Sequence, residues 1–167
     1  MRACVSSHAS PIFLIFFDSV AVDASRYEYP LALLSIQLED TANIRRKWGH
    51  LSGDEAVRAT ANYLRKELRE TDLLVRYAAD EFVAVNPKMS RAQAENLKSR
   101  VQNELDQFNF AVRAHTEIPL RASIGIGVFP EDGNDLESLL SVSGLRGRDD
   151  RDLRLAVNRL KRHSASS

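Results

Sequence analysis

The residues best suited to chemistry are charged and fall in three places. Arg69-Glu-Thr-Asp72 sets a guanidinium and a carboxylate three residues apart, and at a helix end that spacing turns both to one side. A guanidinium fork donates to paired acceptors and a carboxylate accepts from paired donors, so the two suit a polar ligand. Paired only with each other, they would contribute about 0.2–0.5 kcal/mol as an exposed ion pair. Asp80 and Glu81 are adjacent carboxylates between two apolar runs. They read either as a solvated turn or as part of a divalent-cation site, since Mg²⁺ takes anionic oxygens. Arg100 is a further guanidinium, able to meet a phosphate or stack on a flat ring. Cys4 is the one cysteine, and His8, His50, His115 and His163 are scattered. A disulfide framework and a cysteine- or histidine-rich metal site are therefore excluded, and with the solvated turn the favoured reading of Asp80 and Glu81 no metal is expected.

The elements that must position these groups follow from periodicity and punctuation. Residues 1–9 read as a tail, followed by a helix from Ser10 that ends by Tyr29, because Pro30 pushes its predecessor out of helical geometry. Leu31–Leu38 is a nearly continuous apolar run of strand length, which predicts a strand buried on both faces. A short helix around Asp40–Trp48 is stopped by Gly49. Val57, Ala61, Leu64 and Leu68 fall at helical spacing and predict a helix over 54–69. Leu73–Tyr77 and Phe82–Val85, separated by Ala78-Ala79-Asp80-Glu81, have hairpin spacing without the glycines that a tight turn prefers. Ser90 caps a helix to about Phe108, with Ala94, Leu97, Val101 and Leu105 inward. Leu120–Phe129 is a strand, Pro130-Glu-Asp-Gly133 a turn, and a helix starts near Asp135 and fades at Gly144. Helices alternating with strands, one hairpin inserted, predict a single α/β domain with a mixed central sheet.

Composition narrows the function. The 167 residues are 44% hydrophobic and 28% charged, a globular composition. Lys+Arg and Asp+Glu both number 23, so the net charge is zero and the basic excess of a nucleic-acid binder is missing. The longest apolar run, Ile12–Phe17, falls far short of a membrane span and predicts a helix packed on the domain. The chain reads as cytoplasmic, alone or as the cytosolic part of a membrane-associated protein. Arg45-Arg46-Lys47 and the arginine-rich stretch 146–162 could meet an acidic partner or a membrane surface, but Asp149, Asp150 and Asp152 interleave with the latter, which favours a solvated, salt-bridged helix.

Four stretches in order resemble the GGDEF domain, the catalytic unit of diguanylate cyclases. They are Pro30-Leu-Ala-Leu-Leu-Ser-Ile-Gln-Leu-Glu39, Trp48-Gly-His-Leu-Ser-Gly-Asp-Glu55, Arg69-Glu-Thr-Asp-Leu-Leu-Val-Arg-Tyr-Ala-Ala-Asp-Glu-Phe82 and Ala122-Ser-Ile-Gly-Ile-Gly-Val-Phe-Pro-Glu-Asp-Gly133. The resemblance implies a ferredoxin-like, nucleotide-cyclase-like sheet flanked by helices, its hairpin carrying the signature. It divides the chain into an N-terminal tail and helix (1–29), the GGDEF domain (30–145) and an arginine-rich C-terminal segment (146–167). It also implies departures from the family's catalytic pattern. Gln37 stands where the family has a metal-binding aspartate, Ala78 and Ala79 replace two glycines, and Arg45 replaces the guanine-reading asparagine, while Asp54, Asp80 and Glu81 are kept. A Cβ obstructs both positive φ and close approach of phosphate to backbone. The resemblance so read implies no cyclase activity and no cofactor.

The same resemblance implies a nucleotide site of a second kind. Product-inhibited members carry an Arg-x-x-Asp motif five residues before the signature, and Arg69, Asp72 and then Leu73–Tyr77 reproduce that distance. Arg100 aligns with the arginine that completes the site. Here the fork would donate to guanine O6 and N7, the carboxylate would accept from guanine N1 and N2, and Arg100 would meet phosphate or a base plane. The implied ligand is cyclic di-GMP, alone or as an intercalated dimer. The implied role is a receptor acting on a partner protein, such as exopolysaccharide export machinery, on a neighbouring domain, or as a homodimer. The alternatives are a residual cyclase and an interaction module that binds no nucleotide.

Overall fold

The computed structural model describes residues 5–6, 11–113 and 116–144. The arginine-rich stretch 146–162 lies outside the described residues. The elements in chain order are β1 (Val5–Ser6), α1 (Pro11–Arg26), β2 (Leu31–Leu38), α2 (Thr41–Trp48), α3 (His50–Glu67), β3 (Leu73–Ala78), β4 (Glu81–Pro87), α4 (Arg91–Gln107), β5 (Asn109–Arg113), β6 (Thr116–Pro119), β7 (Ala122–Phe129) and α5 (Leu136–Val142).

The nearly continuous apolar run of β2, broken only by Ser35 and Gln37, fits an interior strand with both faces covered. The five strands stand in the order β1-β3-β4-β2-β7. β2 is antiparallel to β4 and β7, and β1 is parallel to β3. Alternate side chains feed two cores. Ala32, Leu34, Ile36 and Leu38 pack with Val57, Ala61 and Leu64 of α3 and with Ala94, Leu97, Val101 and Leu105 of α4. Leu31 and Leu33 pack with Phe13 and Phe17 of α1 and Leu136, Leu139 and Leu140 of α5. The segment around Ile12–Phe17 is therefore a helix seated on the sheet, and no described helix is long and apolar enough to cross a membrane.

Side-chain caps start two of the helices, α4 and α5. Ser90 caps α4 through a reciprocal pair, its hydroxyl accepting from the Gln93 N–H while Gln93 accepts from the Ser90 N–H. Asp135 accepts from the Ser138 N–H and starts α5. α3 differs from expectation at both ends. It begins at His50 and stops at Glu67, with Leu68 already extended. Arg69 and Asp72 consequently lie in the turn to β3, closed by an Asp72 N–H to Arg69 carbonyl bond of 3.0 Å, and not at a helix end.

β5 and β6 form a separate two-stranded sheet that periodicity does not reveal. Their half-buried Phe110 and Ile118 rest on a small cluster of Ile44, Ala56 and Leu120, joined by Trp48. The hairpin between β3 and β4 also differs from expectation. Only Ala79 and Asp80 lie between its strands, after a bulge between Arg76 and Ala78. Among the described residues the non-glycine positions with positive φ are Glu28, Asp40 and Lys88, so this turn does not require a glycine backbone.

One ion pair fastens α4 to the turn after β7. Arg91 pairs with Glu131 at 2.9 Å and with Asp132, whose carboxylate also accepts the Val128 N–H at 2.7 Å. Burial pushes the Asp132 carboxyl up, but the Val128 hydrogen bond and then Arg91 outweigh it and hold it below its ordinary value of 3.8. A depressed carboxyl stabilises the fold above its unfolded pKa and loses that contribution as pH falls through the lower folded value. Arg91→Ala should therefore lower the melting temperature at neutral pH and have a much smaller effect well below pH 3.8. Thermal unfolding of both proteins across that range checks this, and an effect independent of pH would contradict it.

Candidate functional site

The turn at 69–72 is built around its own charges. The Asp72 carboxylate accepts the Arg69 backbone N–H at 2.8 Å, the Arg69 Nε at 3.2 Å and the Arg69 Nη2 at 2.9 Å. Nη2 also donates to the Pro87 carbonyl at 2.7 Å, across the end of β4. The Asp72 side chain is 1% exposed and that of Arg69 45%. Asp72 thus works from below, fixing the plane of a guanidinium that still faces solvent. Arg100 on α4 arrives at the same corner through Glu67, the last residue of α3. Its Nε stands 2.8 Å from the Glu67 carboxylate and its Nη2 reaches the Glu67 carbonyl at 3.5 Å. The structure brings Arg69, Asp72 and Arg100 to one edge of the domain. Glu67 and the Pro87 carbonyl, which organise that edge, escaped sequence reading because neither carries a motif. Nearby, the Tyr63 hydroxyl is pushed up to about 12, chiefly by burial and then by Glu67 and Glu104.

The second group lies at the opposite end of β4. Gln37 is opposite Glu81 on one side and Ser123 on the other, so the three side chains share a face. Gln37 is exposed, whereas Glu81 and Asp80 are buried. Asp80 accepts the Thr41 hydroxyl at 3.0 Å, and its carbonyl accepts the Leu38 N–H at 2.8 Å. Ser123 donates to Glu39 at 2.6 Å. Ala78 closes β3, and the Ala79 carbonyl is held by the Arg76 guanidinium. Arg45 lays its side chain across Gly53, where any Cβ would collide with it, and Asp54 is exposed one residue further on. Burial and then Glu81 raise the Tyr77 hydroxyl. A magnesium ion at this end would meet two carboxylates and the neutral Gln37 amide. Among the described residues no three acidic, histidine or cysteine side chains gather as a cation site, so the described residues do not by themselves fit a closed cage.

A mixed sheet flanked by helices, with paired carboxylates on a hairpin at its end, is the architecture of a nucleotide-cyclase-like domain. The family model described as "Diguanylate cyclase, GGDEF domain" matches residues 12–144, and the chain belongs to the GGDEF family. It is 30% identical over 115 residues to the cyclic di-GMP phosphodiesterase NbdA of Pseudomonas aeruginosa, covering 69% of this chain and 14% of that protein. It is 28% identical over 128 residues to the diguanylate cyclase DosC of Escherichia coli, covering 76% of this chain and 27% of that protein. The chain thus spans between 14% and 27% of the length of these relatives. Among solved structures, the GGDEF domain of YfiN (TpbB) from Pseudomonas aeruginosa superimposes with a TM-score of 0.77 at 23% identity, covering 84% of this chain and 86% of that one. The GGDEF domain of DgcB from Caulobacter crescentus, solved in complex with cyclic di-GMP, gives 0.73 at 15% identity, covering 84% and 81%. The fold expected from the sequence is confirmed.

These relatives overturn the expectation that the chain is not an enzyme. The matching family is that of the diguanylate cyclases, and DosC is itself named as one. Gln37, Ala78 and Ala79 change the charge and shape of the sheet end without establishing inactivity.

Proposed function

We propose that this domain binds cyclic di-GMP at the corner formed by Arg69, Asp72 and Arg100, and passes the bound state to a partner protein or a neighbouring domain, as a receptor does. The observation that carries this reading is the half-exposed Arg69 guanidinium held in plane by a buried carboxylate, with Arg100 anchored beside it through Glu67. A planar fork suits guanine O6 and N7. Asp72 gives its oxygens to Arg69 in this arrangement, so the base meets the guanidinium first. The carboxylate becomes available to guanine N1 and N2 when Arg69 leaves the Pro87 carbonyl. Ligand binding would then select between two arrangements of one turn, which is how the ligand biases the protein.

Titration calorimetry tests the reading directly. Cyclic di-GMP should give a saturable heat with a micromolar Kd, and GTP should bind much more weakly. No heat from cyclic di-GMP, or equal binding of both, contradicts it. A second reading, cyclase chemistry, is favoured by the buried Asp80 and Glu81 beside Gln37. Incubation with GTP and Mg²⁺ or Mn²⁺ followed by chromatography decides it. Cyclic di-GMP formation lost in a folded Glu81→Gln variant supports turnover at the hairpin, and no product removes it.

A further inference from the structure

The Arg69 corner has a neighbour that no motif announces. Arg69 Nη2 is bonded to the Pro87 carbonyl, and the next residue is Lys88. Lys88 takes φ 56°, a left-handed backbone that a non-glycine residue seldom adopts and that tends to persist where the surroundings enforce it. Its surroundings do enforce it. Asn86 before it and Met89 after it are buried, and Ser90 is locked into the capping box of α4. One irregular turn therefore presents the Pro87 carbonyl to Arg69 and, at the next residue, leaves the Lys88 side chain exposed. That side chain is also steered: its Nζ stands 5.5 Å from the centre of the half-buried Tyr29 ring. An ammonium over an aromatic face is held by the ring without losing its capacity to donate hydrogen bonds to an anion.

We infer that Lys88, steered by Tyr29, is a phosphate-contacting residue of the Arg69 corner and favours ligands that carry phosphodiester charge next to the guanine. The inference rests on the binding reading proposed above. The chemistry divides the labour. A planar fork reads the base edge, while a compact ammonium on a flexible stem supplies a point charge that suits phosphate. A cyclic dinucleotide offers both features in one molecule, with a phosphate on each side of every nucleoside.

Calorimetry of wild type, Lys88→Gln, Lys88→Arg and Arg69→Lys with cyclic di-GMP at low and high salt tests this. Lys88→Gln should weaken binding about threefold to fivefold at low ionic strength, as expected for one solvent-exposed charge contact. The difference should fade at high salt, because screening removes what the charge supplied. Lys88→Arg keeps the charge and should bind as wild type. Thermal melting of each variant shows whether the left-handed turn is intact. If Lys88→Gln matches wild type at both salt concentrations while Arg69→Lys loses affinity, this inference is overturned and the binding reading stands. If wild type itself takes up no cyclic di-GMP, the binding reading fails and Lys88 has no such role.

Discussion

Arg69→Lys should weaken cyclic di-GMP binding about 5-fold to 150-fold, the range that corresponds to about 1–3 kcal/mol for a bidentate base contact. The substitution keeps the positive charge and a partner for Asp72, so Asp72 is not stranded as a buried unpaired carboxylate. It removes the planar fork, which a single ammonium cannot imitate. Arg69→Ala would abolish the same contact but also leave Asp72 uncompensated, so its loss of affinity would be mixed with a loss of stability. Calorimetry of Arg69→Lys, with a melting curve to show an intact fold, separates the two effects. Affinity equal to wild type would mean that the base is held elsewhere.

The largest expected effect on stability lies on the far side of the sheet. Gly125 of β7 faces the end of α5, and a Cβ built there would run into the carbonyl of Ser143. Two residues on, a Cβ at Gly127 would stand 2.6 Å from the Leu139 carbonyl. Both obstacles are backbone, so no rotamer change relieves them and the helix itself must move. α5 carries Leu136, Leu139 and Leu140 into the second core, and Ser143 reaches the Ser35 hydroxyl of β2. Gly125→Ala should therefore cost about 3 kcal/mol, the upper part of the usual overpacking range. Urea unfolding measures this, and a change below about 0.5 kcal/mol, the scale of an ordinary surface substitution, would contradict the packing described.

Much of this architecture is legible in the residues. A nearly continuous apolar stretch of eight residues predicts β2 with the bounds observed, because a strand covered on both faces reads that way. The α4 cap and its inward residues follow from Ser90 and the helical period. The end of α3 is less legible. Leu68 continues the helical spacing, yet the chain turns extended there with no glycine or proline to mark the change. The start of α3, four residues earlier than expected, is hidden because Gly53 inside it is a poor helix former. Gly53 is needed inside the helix so that Arg45 can cross it. β5 and β6 are too short, and too mixed in polarity, for alternation to stand out.

The site divides in the same way. The spacing of Arg69 and Asp72 places them together, but it does not say which of them faces solvent. That depends on the Pro87 carbonyl and on burial, both products of tertiary packing. Arg100 is tied to the corner by Glu67, thirty-three positions away, a pairing that local sequence cannot disclose. Gln37, Ala78 and Ala79 are visible as departures from a catalytic pattern. Their consequence for turnover, like that of Arg45, is a matter of geometry and charge at the sheet end, and membership of a cyclase family forbids reading inactivity from these substitutions alone.

A crystal structure of this domain grown with cyclic di-GMP is the most direct trial. The account predicts a guanine edge on the Arg69 guanidinium, withdrawn from the Pro87 carbonyl, with Arg100 turned from Glu67 toward the ligand. A nucleotide lodged instead against Gln37 and Glu81, with the 69–72 turn unchanged, would contradict it.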